Sequence, residues 1–289
     1  MKQWYLLLGI LFITFFSCSK QNSRGNSNLI NIEEAMESMG DFSISEIANN
    51  IAYVALETTD NSLIGDHPDI AIWGDKIIVS SMNQPLMVFD KKTGHFCNRI
   101  GHIGDDPEGF ARDMVGSVPF WIDHTNGTVY LMALSERDLL RYNLDGTFLG
   151  RVTSVFRELE IDFINYYFFH ISNDVITAHN KMWHANEPYI FRFNAVSGTL
   201  LNTVSSIVQP FPQDAIGFYY MGGTNIRSGG GTHRFEYSDN RTARIVPNSP
   251  SVWEYNGQQY LKESFIDTVY TIQGNSLEPR LTIDLGKWK

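Results

Sequence analysis

Three hairpin signatures at a constant spacing constrain this chain more than any other feature. They are Leu86-Met-Val-Phe-Asp-Lys-Lys-Thr-Gly94-His-Phe, Leu139-Leu-Arg-Tyr-Asn-Leu-Asp-Gly146-Thr-Phe and Tyr189-Ile-Phe-Arg-Phe-Asn-Ala-Val-Ser-Gly198-Thr-Leu. Each reads as strand, turn, strand. Glycines 94, 146 and 198 recur every 52 residues, and the aromatics Phe89, Tyr142 and Phe193 keep nearly the same step. A hairpin turning at Asp145-Gly146 or Ser197-Gly198 needs a positive φ, which glycine adopts without steric cost. A weaker fourth copy, Thr268-Val-Tyr270-Thr-Ile-Gln-Gly274, lies 76 residues after the third and so carries an insertion.

A further β-rich run precedes each hairpin: Lys76 to Ser80, Thr128 to Met132, Asp174 to Thr177, and Tyr260-Leu261 with Phe265-Ile266. Before those comes another strand, such as Val118 to Asp123, joined to its successor by Thr125-Asn126-Gly127. Each unit therefore has four short strands. Helical signals are confined to Ile32 to Met39, with Glu33, Glu34 and Glu37. Four strands repeated every 40 to 50 residues or so are the signature of propeller blades; a β-sandwich does not produce matched hairpins at constant spacing. The expectation is an all-β chain, a β-propeller of four-stranded antiparallel blades over residues 29–289. Trp73 and Trp121 sit on strand patterns and read as core.

The amino terminus differs in kind. Residues 1–17 carry one charge, Lys2, and Tyr5 to Phe16 is nearly unbroken apolar sequence, the pattern of a signal peptide. That run is shorter than the roughly 20 residues a membrane-spanning helix needs. Cys18 follows, then polar Ser19-Lys20-Gln21-Asn22, resembling a bacterial lipoprotein signal. Lipidation at Cys18 would tether the mature chain to the membrane through several acyl chains. Residues 18–28 then form the lipidated cysteine and a flexible stalk free of apolar residues beyond it. With Cys18 modified, Cys97 has no intrachain partner, and the apolar-flanked run His95-Phe96-Cys97 predicts that it is buried. With 43% hydrophobic and 13% aromatic residues the chain can bury a substantial core. The 22 basic against 32 acidic residues, a formal charge of -10, argue against a nucleic-acid partner.

Three stretches carry a family resemblance. Leu56-Glu57-Thr58-Thr59-Asp60-Asn61-Ser62-Leu63-Ile64-Gly65 looks like the "LETT" opening of six-bladed, NHL-like β-propeller lipoproteins of Bacteroidota. Ile100 to Phe110 resembles their "IGxxGxGPgEY" link after the first blade, with Asp106 in place of a glycine and Glu108-Gly109-Phe110 permuted. Asp267-Thr268-Val269-Tyr270 is similar to their "DTIY". The resemblance covers residues 29–286 and implies a cell-envelope lipoprotein; it brings no catalytic residue set and no cofactor. It also implies six blades, whereas a 52-residue unit fits only about four to five times into residues 51–289. Against that family the chain looks shortened at its carboxyl end, an open arc with exposed apolar edges.

In an up-and-down blade, the second-to-third-strand loops and the links between blades emerge together, and that face is the expected ligand site. Its candidates are the acidic link His102, Asp105, Asp106, Glu108 and Arg112, and the loop residues His179, Trp183 and His184. The carboxylates suit a hard cation, but they lack the alternation of a calcium loop and read equally as a solvated turn. Two histidines around an indole suit a sugar ring or a metal, although a spacing of five matches neither a strand face nor a helix turn. The run Arg227 to Thr232 lacks a P-loop ending, and Gly-x-Ser-x-Gly does not occur. No catalytic or metal-ligating residues are assigned. The expected function is a tethered propeller binding a glycan, a peptide or an envelope protein. The alternative is a metal-dependent lactonase, lyase or hydrolase with its site in the propeller channel. Lys20-Gln21-Asn22 lacks the acidic run that marks surface export in some relatives, which favours the periplasmic side.

Overall fold

The computed structural model describes residues 28–66, 68–110, 118–133, 138–152, 166–180, 190–205, 215–221, 232–245, 251–263 and 266–288. The expected signal peptide and Cys18 lie outside them. Strands β1 (Leu29–Asn31) and β2 (Asp69–Trp73) are separated by the helix α1 (Ile32–Glu37), a short 3-10 turn and an irregular segment. Asn31 caps α1 by accepting a hydrogen bond from the Glu34 amide.

Four antiparallel sheets then follow the repeat. The first blade is β2, β3 (Lys76–Ser80), β4 (Leu86–Asp90) and β5 (Phe96–Ile100). A parallel pair of two-residue strands, β6 (His102–Ile103) and β7 (Gly109–Phe110), forms the link. The second blade is β8 (Phe120–Ile122), β9 (Val129–Ala133), β10 (Asp138–Tyr142) and β11 (Phe148–Val152). The third is β12 (Tyr166–Ser172), β13 (Val175–Asn180), β14 (Ile190–Asn194) and β15 (Leu200–Val204). A three-stranded sheet follows, β16 (Ala215–Met221), β17 (Thr232–Tyr237) and β18 (Thr242–Ile245). The fourth blade is β19 (Ser251–Tyr255), β20 (Gln258–Lys262), β21 (Thr268–Gln273) and β22 (Ser276–Asp284), with β1 added in parallel along β22. Lys287 holds α1 there through Glu33, 3.0 Å away.

The repeat seen in sequence is a repeat of geometry. Gly94, Gly146, Gly198 and Gly274 all have positive φ. Each third-to-fourth-strand hairpin also breaks register at the same place, between Val88 and Phe89, Arg141 and Tyr142, Arg192 and Phe193, and Val269 and Tyr270. One extra residue at the same point of each hairpin gives every blade the same local twist.

Blades stack face against face. Ile78 and Val88 of the first blade meet Phe120, Val129, Leu131 and Leu140 of the second. Tyr130, Met132 and Leu139 meet Ile171, Ile176, Phe191 and Phe193 of the third. Ile190 and Val204 then meet Leu261 and Ile272 of the fourth. The third and fourth blades thus pack directly on each other, and β16–β18, between them in sequence, is the insertion that lengthens the last repeat. Trp73 and Trp121 pack against the first two of these cores, as expected.

Cys97 departs from expectation: it is exposed and free. β5 is the outer strand of its sheet, and Cys97 is the extra residue of its bulge: Asn98 pairs with Val88 and Phe96 with Phe89, so Phe96 and Ile100 pack on opposite faces of the blade and Cys97 is left exposed. The bulge in an outer strand, not the apolar neighbour, decides the exposure of Cys97.

Candidate functional site

The acidic link is a braced turn. His102 lies 2.5 Å from Asp106, whose other oxygen accepts the Glu108 amide at 2.9 Å. These two bonds, His102 first, hold the Asp106 carboxyl below the usual carboxylate range. Tyr142 donates its hydroxyl proton to the Glu108 carbonyl, and Arg151 donates to the Pro107 carbonyl at 3.0 Å, tying the link to the second blade. A Cβ on Gly109 would stand 2.4 Å from the Gly104 carbonyl oxygen, so the link closes on itself only with glycine there. Asp105 is exposed beside it. Among the described residues no group of three His, Cys, Asp or Glu is placed to hold a metal ion. Arg112, Trp183 and His184 lie outside the described residues; His179 is on β13, its backbone paired with Ile190.

The richest polar constellation lies at the other end of the blades, where first strands turn into second strands. Asp123, buried at the end of β8, accepts hydrogen bonds from the amides of Thr125 at 2.7 Å and Asp174 at 3.2 Å, the second reaching across to the third blade. Thr125 lies 3.2 Å from the Ser172 hydroxyl and accepts from the Asn173 amide at 3.0 Å. Next to this seam the His124 and His170 rings stack at 5.2 Å, and His170 approaches Glu254 of β19 at 3.3 Å. Burial pushes the His170 imidazole down and outweighs the opposing pull of Glu254. The Ser172 hydroxyl, followed by His170, holds the Glu254 carboxyl below its ordinary range.

Between the third and fourth blades this seam opens into a cavity of about 420 Å3, within the roughly 300–1,000 Å3 of small-ligand sites. Ser172, Asn173 and Arg192 line one wall, Glu254, Gln258 and Gln259 the other, with Val175 and Ile272 as apolar surface. The walls are joined by Thr177 donating to Gln259 at 3.0 Å, and by Asn202 donating to the Gly274 carbonyl at 2.7 Å. The register explains the geometry: His170, Thr177 and Arg192 are cross-strand partners in one row, on the face that also carries Ile190. An arginine in that row must enter the junction.

Arg192 was not among the sequence candidates. Its Nε is buried and without a hydrogen-bond partner, and burial alone, with no carboxylate acting on it, lowers its pKa. A legible signal existed in the repeat: the residue before the hairpin aromatic is Val88, Arg141, Arg192 and Val269 in the four copies. Valine suits a position facing the next blade; arginine does not, unless something meets it.

Residues 27–289 match the family described as a domain of unknown function, DUF4934. No curated protein matches the sequence. Among solved structures, an exported protein from Bacteroides fragilis is similar at a TM-score of 0.55 and 15% identity, over 89% of this chain and 60% of that one. The chain therefore spans about 60% of that protein's length. A DUF4221 family member from Bacteroides vulgatus aligns at a TM-score of 0.37 and 9% identity, over 79% of this chain and 85% of that one. BamB from Moraxella catarrhalis aligns at 0.34 and 11%, over 77% and 62%. The match over almost all of the described sequence shows that this chain belongs to the DUF4934 family.

Proposed function

We propose that the protein is a cell-envelope binding propeller, held to the membrane through Cys18, that takes a polar ligand in the cavity between its third and fourth blades. The observation that carries this reading is the cavity itself. Amides, a hydroxyl, a carboxylate and a guanidinium converge there on a space of small-ligand size, with Val175 and Ile272 as the apolar lining among the described residues. Among these groups the Arg192 Nε is buried without a hydrogen-bond partner, and a buried polar group left unmet is costly. A ligand supplying hydroxyls and carbonyls would meet them. The apolar signal-like run before Cys18 and the likeness to an exported Bacteroides fragilis protein support an envelope location.

A thermal-shift screen of the full-length chain with oligosaccharides, peptides and divalent cations tests the proposal. A glycan or peptide that raises the melting temperature, and loses this effect on Glu254→Gln or Gln259→Leu, supports it. Stabilisation by a divalent cation alone would replace it with the metal-dependent lactonase, lyase or hydrolase reading.

A further inference from the structure

The second and third blades carry arginine at one structural position, Arg141 and Arg192, each pointed at the next blade along the stack. Their surroundings differ. The Tyr130 hydroxyl, in the cross-strand row of Arg141, stands within electrostatic reach of Arg141 and of both Asp123 and Asp174. Asp123 and Asp174 thus stand near the hydroxyl that Arg141 meets, although the Arg141 Nε, like that of Arg192, is buried and without a hydrogen-bond partner. By register Ile122 and Val129 correspond to Ile171 and Ile176, so the place of Asp123 is taken in the third blade by Ser172. The junction between the third and fourth blades therefore lacks that carboxylate, and a cavity stands beside Arg192 instead. Glu254 does not replace it, being engaged by Ser172 and His170.

We infer that this cavity binds an acidic sugar, with the carboxylate of one uronate unit on Arg192. The inference rests on the reading of the chain as a binding propeller with its site in this cavity. Among the described residues of the lining, one guanidinium and no second cation match a singly charged carboxylate, the planar partner to which arginine is best suited. A doubly charged phosphate would meet Glu254 within the same walls and a protein of net charge -10. The remaining lining is amide and hydroxyl, from Ser172, Asn173, Gln258 and Gln259, groups that both donate and accept, as a ring of sugar hydroxyls requires. Val175 and Ile272 offer apolar contact to the C–H face of the ring.

The test is calorimetric titration of the full-length protein with uronate di- and trisaccharides, neutral sugars of the same linkage, acidic peptides, and inorganic sulfate and phosphate. Uronates should bind at least tenfold more tightly than the neutral sugars, and Arg192→Met should remove that advantage. The Arg192 side-chain Nε–H resonance should shift on adding the uronate, a readout that holds even if the variant folds poorly. Equal binding of neutral sugars, equal binding of sulfate or phosphate, or an unmoved Arg192 resonance would overturn the inference. Binding of neutral glycans or peptides in this cavity without uronates would sink the acidic sugar and leave the binding propeller standing. No binding of any glycan or peptide would remove both.

Discussion

Arg192 shows how a single side chain can be set against the fold that holds it. Its aliphatic stem fills the row between Thr177 and Asn202, while its guanidinium lies in a junction where no described carboxylate acts on it. A charge taken from water without a partner costs stability, and a well-packed apolar replacement of similar length removes the cost. Arg192→Met should therefore raise the unliganded stability by about 1 kcal/mol, measured by urea denaturation. Loss of stability instead would mean that the guanidinium has a partner in solution. His170 makes a second prediction. Its pKa is depressed in the folded state, so its stabilising effect is complete above the unfolded value of about 6.5 and is lost as the pH falls through the folded value. The melting temperature should fall over that interval, and His170→Gln should flatten the fall. The Glu254 carboxyl is also held low, so its contribution persists to lower pH and disappears only below its ordinary range.

The hairpin that ends each blade is the element on which the repeat depends, and its glycines are not equivalent. A Cβ on Gly94 would lie 1.9 Å from the Ala55 carbonyl oxygen, because the segment leading into the first blade crosses that turn and pairs there, the Glu57 amide donating to the Gly94 carbonyl. Gly274 has the same left-handed backbone but open space around it. Gly94→Ala should cost more than about 2 kcal/mol and Gly274→Ala about 1 kcal/mol, compared by chemical denaturation. Equal costs would show that backbone conformation alone sets the penalty. On the neighbouring β5, the outward Cys97 should react with a maleimide in the folded state, and Cys97→Ser should remove that label.

The two ends of the blade stack are unlike its interior. On the outer face of the first blade, Ile77, Val79, Met87 and Phe89 are covered by Leu56, Ile64 and Phe96. Ile70 and Ile72, paired with Val79 and Ile77 on that same face, remain 61% and 59% exposed. At the far end Trp253 stacks on Tyr260 at 5.6 Å, and Tyr255 is 64% exposed. Apolar surface of this kind attracts apolar probes. Ile70→Thr with Ile72→Thr should lower the binding of a fluorescent apolar dye and shift the denaturation midpoint little; unchanged dye binding would place the responsible surface elsewhere.

The blade pattern was legible because a hairpin's chemistry is local: a positive-φ glycine, an aromatic and an alternating strand lie within a dozen residues and recur at a fixed interval. The insertion was legible too, as a 76-residue gap that the structure fills with β16–β18. Cys97 misled because an apolar neighbour was weighed above the bulge of an outer strand. The acidic link and its His102 were read as candidates from the sequence, and the structure adds that His102 and Asp106 pair with each other while Asp105 stays exposed. Arg192 stands in the sequence inside an ordinary strand, and nothing local marks it as different from Arg141. What separates them is the junction each enters, the Tyr130 hydroxyl at one and a cavity beside the other. Strands and turns follow from neighbours along the chain, whereas the pairing of a buried charge follows from which faces are pressed together, and only the tertiary structure brings Glu254 and Gln259 opposite a row some 80 residues earlier.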